Sequence, residues 1–391
     1  MWPRSSEAAR QVLNDVLESG SWCRRDGEAS FGLAVEEWLA QMHSAAGAVM
    51  VTNGTHALEV ALQGLNLEAG QQALVPAVTF IATATAVSRC GAEPVPVDVD
   101  ASTLCMDPED AARKITSKTR VIVPVHLGGC PADMSSIMEL ANRHNLYVLE
   151  DCAQSLGAQW MNQAAGSFGD LSTFSFQSGK IITAGEGGAV VVTRDRQLLE
   201  RIQLLTDHGV RRGQSWYEHE SIGSNYRMTE FQACVIKSQL PTFAELTDSR
   251  RDSALRLIES LQQLGVRCRT GHLDSRVTHH VWSSLFMELP EVVTEIFDSR
   301  LAAVILKMEG ITLQPLYTPW YATKAYGNSE RSCPIAETAA KTTVFAHFSL
   351  LLAGEDALDD TVRAIAKLIN WCQTSSVADK KAVREKLLTS T

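Results

Sequence analysis

The sequence predicts an α/β fold, in which a large domain with a mostly parallel sheet flanked by helices is followed by a smaller α+β C-terminal domain. Short apolar runs alternate with helical stretches between residues 46 and 193, as in parallel sheets joined by right-handed crossovers. The chain has 391 residues, more than one hydrophobic core usually organises. A long charged helix from about residue 241 indicates a link between domains 1–245 and 246–391.

The elements around the first strand point to an anion site. Helices are predicted at 4–19 and 32–43 from their apolar periodicity, and a strand at 46–52. This strand ends in Asn53-Gly54-Thr55, after which a helix begins. Such a turn presents free N–H groups and the positive end of the helix dipole to a phosphate. The alternative is an ordinary N-cap formed by Asn53 or Thr55.

Strands and helices then alternate regularly. The predicted strands are 73–77, 94–98, 121–125 and 147–151, and the helices between them are 81–90, 108–115 and 134–144. Ligands of such sheets bind at the carboxyl ends of the strands. Asp98, His126, Asp151 and Lys180 all follow strand ends, so we expect them at that edge.

Two of these residues suggest a specific chemistry. Asp151 ends an apolar run and needs a partner, which is either a protonated pyridine nitrogen or the first turn of a helix that it caps. Lys180 follows a strand at 172–176, and no other charge occurs between Asp170 and Glu186. Desolvation lowers the pKa of an amine and suits it to Schiff-base formation with a carbonyl cofactor. A lysine that simply points to water is the alternative.

The remaining pattern completes the large domain and defines the small one. We predict a strand at 189–193, a helix at 197–206, a helix capped by Thr229 and a long helix at 241–264. The small domain follows with strands near 266–268 and 281–287 and a helix at 293–307. From residue 375 the chain is polar and is expected to be a frayed tail.

Composition excludes several classes of protein. A formal net charge of -10 disfavours nucleic-acid binding. There is neither a signal-peptide core nor an apolar stretch of membrane-spanning length, so we predict a cytoplasmic protein that binds no membrane. The nine scattered cysteines favour neither disulfides nor a zinc site. No G-x-G-x-x-G follows the first strand, which disfavours a nicotinamide oxidoreductase. His126 and His208 are expected to be structural, and no metal is predicted.

Seven motifs occur in a fixed order along the chain. They are N-G-T-H-A-L at 53–58, P-A-V-T-F at 76–80, P-V-H-L-G-G at 124–129, E-D-C-A-Q-S-L-G-A at 150–158, F-S-F-Q-S-G-K at 174–180, G-E-G-G at 185–188 and G-S-N-Y-R-M-T-E at 223–230. From about residue 19 to 369, the sequence resembles the DegT/DnrJ/StrS family of sugar aminotransferases that depend on pyridoxal phosphate (PLP). The resemblance implies the type I PLP-dependent aminotransferase fold and pyridoxal 5'-phosphate as cofactor.

The resemblance also implies a role for individual residues. Lys180 would form the Schiff base and then move the proton between substrate and cofactor. Around the cofactor ring, Asp151 would pair with the pyridine nitrogen, Gln154 would bond the ring hydroxyl and Phe80 would stack on the ring. At the phosphate, Gly54, Thr55 and Ser175 would bind, together with Asn225 of the neighbouring subunit. A homodimer with shared active sites is thereby implied.

The implied reaction moves an amino group from glutamine or glutamate to the keto group of a cyclitol or a nucleotide-linked keto sugar, in antibiotic or other secondary-metabolite or surface-sugar biosynthesis. Lys180 argues against the dehydratase branch of the family, which has histidine there. Residues 174–188 and V-F-A-H-F-S-L-L-L-A-G at 344–354 are similar both to glutamine-dependent scyllo-inosose-type aminotransferases and to 3-amino-5-hydroxybenzoate synthases. Gln154 and N-Y-R-M favour the aminotransferases.

Two alternative functions remain compatible with these residues. One is the dehydration catalysed by the synthases, and the other is a catalytically idle partner subunit with the PLP-dependent fold. A nucleotide-linked acceptor would need local positive charge for its diphosphate, for which Arg211, Arg212 and Arg227 are candidates. Neither the natural acceptor nor the pathway follows from these residues.

Overall fold

The computed structural model describes residues 2–3, 5–23, 30–211, 217–327 and 331–390. The strands of these residues form three sheets. In chain order they are β1 (Gly47–Val51), β2 (Gln72–Pro76), β3 (Glu93–Val97), β4 (Thr119–Ile122), β5 (Tyr147–Asp151), β6 (Gln159–Trp160), β7 (Gln163–Ala164), β8 (Leu171–Ser175), β9 (Gly188–Val192), β10 (Arg267–Cys268), β11 (Val277–His279), β12 (Ser284–Glu288), β13 (Gln314–Pro315) and β14 (Thr343–His347).

Helices cover the sheets, and most begin after a polar residue whose side chain accepts an N–H group of the first turn, as Ser30 does. None of the helices in the described ranges is long and apolar enough to cross a membrane. They are α1 (Glu7–Ser19), α2 (Phe31–Met42), α3 (Gly54–Gly64), α4 (Ala82–Arg89), α5 (Pro108–Lys114), α6 (Met134–His144), α7 (Arg196–Thr206), α8 (Glu230–Gln239), α9 (Phe243–Gln262), α10 (Glu291–Thr294), α11 (Ser299–Met308), α12 (Pro334–Thr342), α13 (Phe348–Leu351), α14 (Glu355–Thr374) and α15 (Val377–Ser390).

The largest sheet has seven strands in the order β1-β9-β8-β5-β4-β2-β3. Strand β9 runs antiparallel to β1 and β8, whereas the other neighbouring pairs are parallel. All five residues of β9 are buried, as expected for a strand with helices on both faces. The predicted α/β architecture with a mostly parallel sheet is therefore confirmed.

A second sheet, β10-β12-β14-β13, is antiparallel and shares a core with α9, α11 and α14. The third consists of the short strands β11-β6-β7. Some residues after 246 pack in the core of the large sheet instead, including Trp320, Cys333 and Ala336. The chain after residue 246 thus contributes to both cores, and the boundary at 245 stays a prediction.

Three predicted elements differ from the structure. The helix predicted at 293–307 is divided into α10 and α11, because Asp298 caps α11 by accepting the Leu301 N–H at 2.9 Å. The strand predicted at 281–287 begins only at Ser284, since Trp282 has a positive φ of 52°. The frayed tail is wrong: residues 377–390 form α15, and Leu387 is buried against the second core.

Asp98 is a structural residue. It follows β3 as predicted, but its carboxylate accepts the N–H groups of Ile335 at 3.0 Å and Ala336 at 2.9 Å. These are the first free N–H groups of α12, because Pro334 has none and Cys333 gives no side-chain cap. The expectation that Asp98 belongs to the ligand site is therefore wrong. Its charge instead joins the large sheet to the C-terminal part of the chain.

Replacing Asp98 with alanine should lower the free energy of unfolding by about 3 kcal/mol, because buried N–H groups lose a charged acceptor. Urea unfolding of the cofactor-free protein measures this change. The matched control is Asp195→Ala, which removes an exposed cap that accepts from Gln197 and Leu198 and should cost about 1 kcal/mol. Equal losses in the two variants would contradict the bridging role of Asp98.

Candidate active site

Lys180 lies in a loop that is closed by its own backbone hydrogen bonds. Ser178 N–H donates to the Gly185 carbonyl at 2.9 Å, Ala184 N–H to Phe176 at 3.0 Å, and Lys180 N–H to Gln177 at 2.8 Å. Burial lowers the pKa of the Lys180 amine, and the negative charge of Asp151 raises it by less. Lys180 is partly buried, which agrees with the predicted partial desolvation of the amine and not with a lysine that simply points to water.

Asp151 ends β5, next to β8, whose following loop carries Lys180. The aspartate is 5% exposed, and its carboxylate accepts the Thr83 hydroxyl at 2.8 Å and the Ala153 N–H at 3.1 Å. A turn follows β5 rather than a helix, so the helix-cap alternative is wrong. Two hydrogen bonds orient the carboxylate.

The start of α3 offers free backbone donors. Asn53 caps this helix by accepting the His56 N–H at 2.9 Å. Over the described residues, however, the N–H groups of Gly54 and Thr55 donate to no protein acceptor. A Cβ atom at Gly54 would come within 2.8 Å of the Ser175 Cβ, so the helix start and Ser175 lie in direct contact. The N-cap formed by Asn53 is confirmed, and the free N–H groups beside it are compatible with the predicted phosphate site, which stays a prediction.

Gln154, Phe80 and Tyr317 form a further group. The Gln154 side-chain oxygen accepts the Gly128 N–H at 2.7 Å, and its amide nitrogen donates to the Tyr317 hydroxyl at 3.4 Å. The Phe80 ring is 58% exposed and meets Tyr317 edge to face, with the ring centroids 6.4 Å apart. Burial raises the pKa of the Tyr317 hydroxyl, which therefore remains a neutral donor at pH 7.

His126 is a buried residue that forms hydrogen bonds next to the Asp151 end of β5. Its Nδ1 accepts the Ala132 N–H at 3.0 Å, so Nε2 carries the proton and donates to Glu150 at 3.0 Å. Burial raises the pKa of Glu150, but hydrogen bonds from His126 and from backbone N–H groups outweigh this effect and leave the pKa lowered. Although Cys152 lies close by, both His126 nitrogens are engaged. His126 is therefore structural, as predicted, and does not join the ligand site.

The arginine candidates are already paired. Arg227 contacts Asp207, and Arg211 contacts Glu200 at 3.0 Å and Glu220 at 2.9 Å. Their candidate role at a diphosphate stays a prediction. Arg212 lies outside the described residues.

Asn225 lies in the extended segment beside these arginines. It is exposed and forms a backbone bridge with Asp207. In the single chain its side chain is therefore open to another molecule.

Sequence reasoning missed four residues that touch this site. Thr83 follows the motif at 76–80 by one helical turn, and that spacing was the available signal. Tyr317 and Trp2 carry no comparable signal. His347 stands inside the quoted 344–354 motif, and its Nε2 donates to the Gly179 carbonyl at 2.7 Å, next to Lys180.

The residues fit pyridoxal phosphate on two observations. The orphan N–H groups at the start of α3, against Ser175, suit a phosphate. The desolvated Lys180 amine and the oriented Asp151 carboxylate suit an aldehyde and a pyridinium on one ring.

Comparison with known proteins agrees with this geometry. Residues 3–365 match the DegT/DnrJ/EryC1/StrS aminotransferase family. The chain is 33% identical over 396 residues to the L-glutamine:2-deoxy-scyllo-inosose aminotransferase of Micromonospora echinospora, with 94% of each chain covered. It is 36% identical over 383 residues to the 3-amino-5-hydroxybenzoate synthase of Amycolatopsis mediterranei (strain S699), covering 94% of this chain and 96% of that one.

A crystal structure of 3-amino-5-hydroxybenzoic acid synthase superposes with a TM-score of 0.88 at 35% identity, covering 95% of this chain and 98% of that chain. At this similarity the fold is shared over nearly the whole length. The predicted type I PLP-dependent aminotransferase fold is confirmed.

Replacing Lys180 with methionine should stabilise the cofactor-free protein at pH 7 by about 1 kcal/mol or more, because the buried ammonium group has a desolvation cost. Its lowered pKa means that the folded protein releases this proton at a lower pH than the unfolded chain does. The destabilisation caused by the Lys180 ammonium group therefore decreases as the pH rises through the pKa of the folded state towards 10.5, the ordinary value for lysine. The stability gained by Lys180→Met should disappear near that pH.

Urea unfolding at pH 7 and near pH 10.5 measures this difference. The control is Lys114→Met, because Lys114 pairs with Asp110 at 2.8 Å and its loss should not stabilise the protein at pH 7. A Lys180→Met variant no more stable than the unmodified protein at pH 7 would show that the amine is not desolvated.

Proposed function

Because the chain belongs to the DegT/DnrJ/EryC1/StrS aminotransferase family, we propose that it is a PLP-dependent aminotransferase that moves an amino group from glutamine or glutamate to the keto group of a cyclitol or keto sugar. The single observation that carries this proposal is the Lys180 amine, whose pKa is lowered by burial and raised to a lesser extent by the negative charge of Asp151. The hydrogen bond from Thr83 orients the Asp151 carboxylate. The proposed place of action is the cytoplasm.

The reacting end of the site consists of Lys180 and Asp151. Bound pyridoxal phosphate supplies an electron sink that makes a hydrogen on the substrate carbon acidic. Lys180 would hold the cofactor aldehyde through Nζ, and its free amine would move the proton between the substrate carbon and the cofactor, for which a lowered pKa suits it. Asp151 would hold the pyridinium N–H, and the hydrogen bond from Thr83 orients its carboxylate.

The remaining residues hold and orient the ring. The N–H groups of Gly54 and Thr55, with the Ser175 hydroxyl, would bind the phosphate. Phe80 has an exposed face for stacking. The Gln154 side-chain oxygen accepts the Gly128 N–H and its amide nitrogen donates one hydrogen to Tyr317, so the second amide hydrogen would be the donor to the ring hydroxyl.

For the acceptor we propose a free polyhydroxylated ring ketone, with glutamine as donor, in a secondary-metabolite pathway such as antibiotic biosynthesis. The relative from Micromonospora echinospora is named for glutamine and 2-deoxy-scyllo-inosose, which supports this choice.

A second candidate is the reaction of 3-amino-5-hydroxybenzoate synthase, favoured by the similarity of sequence and fold. Addition of the amino donor distinguishes the two proposed reactions, because an aminotransferase must take an amino group from glutamine or glutamate. A catalytically idle subunit is disfavoured, since the desolvated lysine, the oriented carboxylate and the free N–H groups are all retained.

We also propose a homodimer whose active sites are completed by Asn225 of the partner chain. The segment before Asn225 exposes apolar side chains, with Ile222 95% and Tyr217 73% exposed. Exposed apolar side chains on one segment are typical of an interface.

Purified protein loaded with pyridoxal phosphate should lose its yellow absorbance when glutamine is added, as the amino group moves to the cofactor. Lys180→Ala should abolish both the yellow lysine adduct and this conversion, with a rate at least about 1000-fold lower. Lys118→Ala, on the exposed surface, should leave both unchanged. A yellow protein that ignores both glutamine and glutamate would favour the synthase reaction.

Shared sites predict complementation between two inactive variants, Lys180→Ala and Asn225→Asp. With random mixing, about half of the dimers contain one chain of each kind, and each mixed dimer has one intact site. Coexpression should therefore restore about a quarter of the wild-type activity. Sites built within one chain predict no restoration, and a cofactor-binding monomer in light scattering would also contradict the proposal.

A further inference from the structure

Two side chains from distant parts of the chain hold the backbone on either side of Lys180. Resting on the proposed function, we propose that Trp2 and His347 are positioning residues that set the direction in which Lys180 presents its amine. The indole N–H of Trp2 donates to the Lys180 carbonyl at 3.2 Å. The His347 ring donates through Nε2 to the Gly179 carbonyl at 2.7 Å.

These two carbonyls belong to the two peptide planes that flank the Lys180 Cα atom. Because peptide units are planar, fixing both planes fixes φ and ψ of the residue between them. The direction of the Cα–Cβ bond, and hence the start of the lysine side chain, is then fixed as well. The remaining hydrogen bonds of the loop, such as Lys180 N–H to Gln177, leave both carbonyls available to these donors.

The hydrogen bonds of His347 define its protonation. Nδ1 accepts from the hydroxyl of Ser349 at 2.9 Å and from its N–H at 3.3 Å, which caps α13. The Gly179 carbonyl can only accept, so Nε2 carries the proton of a neutral ring. Burial lowers the pKa of His347, the hydrogen bond to Gly179 raises it and the nearby charge of Lys180 lowers it, and the net lowering keeps this neutral form at pH 7.

Phe348 fixes the Trp2 ring. The two ring centroids are 4.9 Å apart, edge to face. Phe348 is fully buried, and the Arg250 guanidinium lies 5.6 Å from its ring. Arg250 is itself held, because it donates to the Val281 carbonyl at 3.0 Å and to the Thr247 hydroxyl at 2.7 Å. Because Phe348 directly follows His347 at the start of α13, Trp2 packs on the same short helix that His347 caps.

Three substitutions separate positioning from packing. Trp2→Phe keeps an aromatic ring against Phe348 and removes the N–H donor. His347→Asn keeps an acceptor for the Ser349 cap but is too short to reach Gly179. His347→Gln carries an amide nitrogen close to the original Nε2, so it keeps the donor and should rescue the function.

Two measurements on cofactor-free protein follow these variants. The first is the rate at which added pyridoxal phosphate is captured by Lys180, trapped with borohydride and located by peptide mass spectrometry. The second is the Kd of pyridoxamine phosphate, which fills the same pocket without reacting with lysine. Trp2→Phe and His347→Asn should each slow capture about tenfold, since small misplacements of a reacting group are costly, and should change the Kd less than about twofold.

The controls remove comparable donors elsewhere. Trp160→Phe removes an indole donor to Ser135, and His279→Leu removes a histidine donor to the Gly157 carbonyl. Both should capture at the wild-type rate, as should His347→Gln.

Two results would overturn the inference. One is a capture rate equal to that of the wild type in both Trp2→Phe and His347→Asn. The other is an equal loss of capture rate and of affinity for pyridoxamine phosphate, which would show that the substitutions disrupt the pocket in general. A wild-type protein that captures no pyridoxal phosphate on Lys180 would instead remove the proposed function, and this inference with it.

Discussion

A desolvated amine is the constraint on which the site depends. An ammonium group removed from water is costly unless nearby charge offsets part of the cost, and here Asp151 offsets only part of it. The sheet order brings the two groups together, because β5 and β8 are parallel neighbours with Asp151 opposite Thr173. The lysine loop and the aspartate therefore leave the sheet at the same edge.

The antiparallel strand β9 brings the start of α3 to this edge. It pairs with β8 on one side and β1 on the other, so the turn after β1 lies beside Ser175. The approach is close enough to require glycine: a Cβ atom at Gly188 would lie 2.4 Å from the Asn53 carbonyl oxygen. One antiparallel strand thus brings the free N–H groups at the start of α3 to the edge of the sheet from which the Lys180 loop leaves.

The C-terminal half closes the site by different means. Gln154 is held by Tyr317 and Gly179 by His347. These hydrogen bonds join residues more than 160 positions apart, so the geometry of the site depends on how the two cores pack. Loss of packing in the second core should therefore affect the chemistry at Lys180 without any change at the lysine itself.

The sequence alone determined the α/β architecture, the α3 turn, Asp151, Lys180 and the Thr229 cap, because periodicity, turn residues and caps are local properties of the chain. The Thr229–Gln232 capping box, for example, involves residues three apart. Only the tertiary structure decided that Asp98 caps α12, that Arg211 and Arg227 are paired, that α15 is ordered, and that Tyr317, His347 and Trp2 reach the site. These contacts depend on packing between distant segments, and no pattern within a short window encodes which distant partner a side chain will meet.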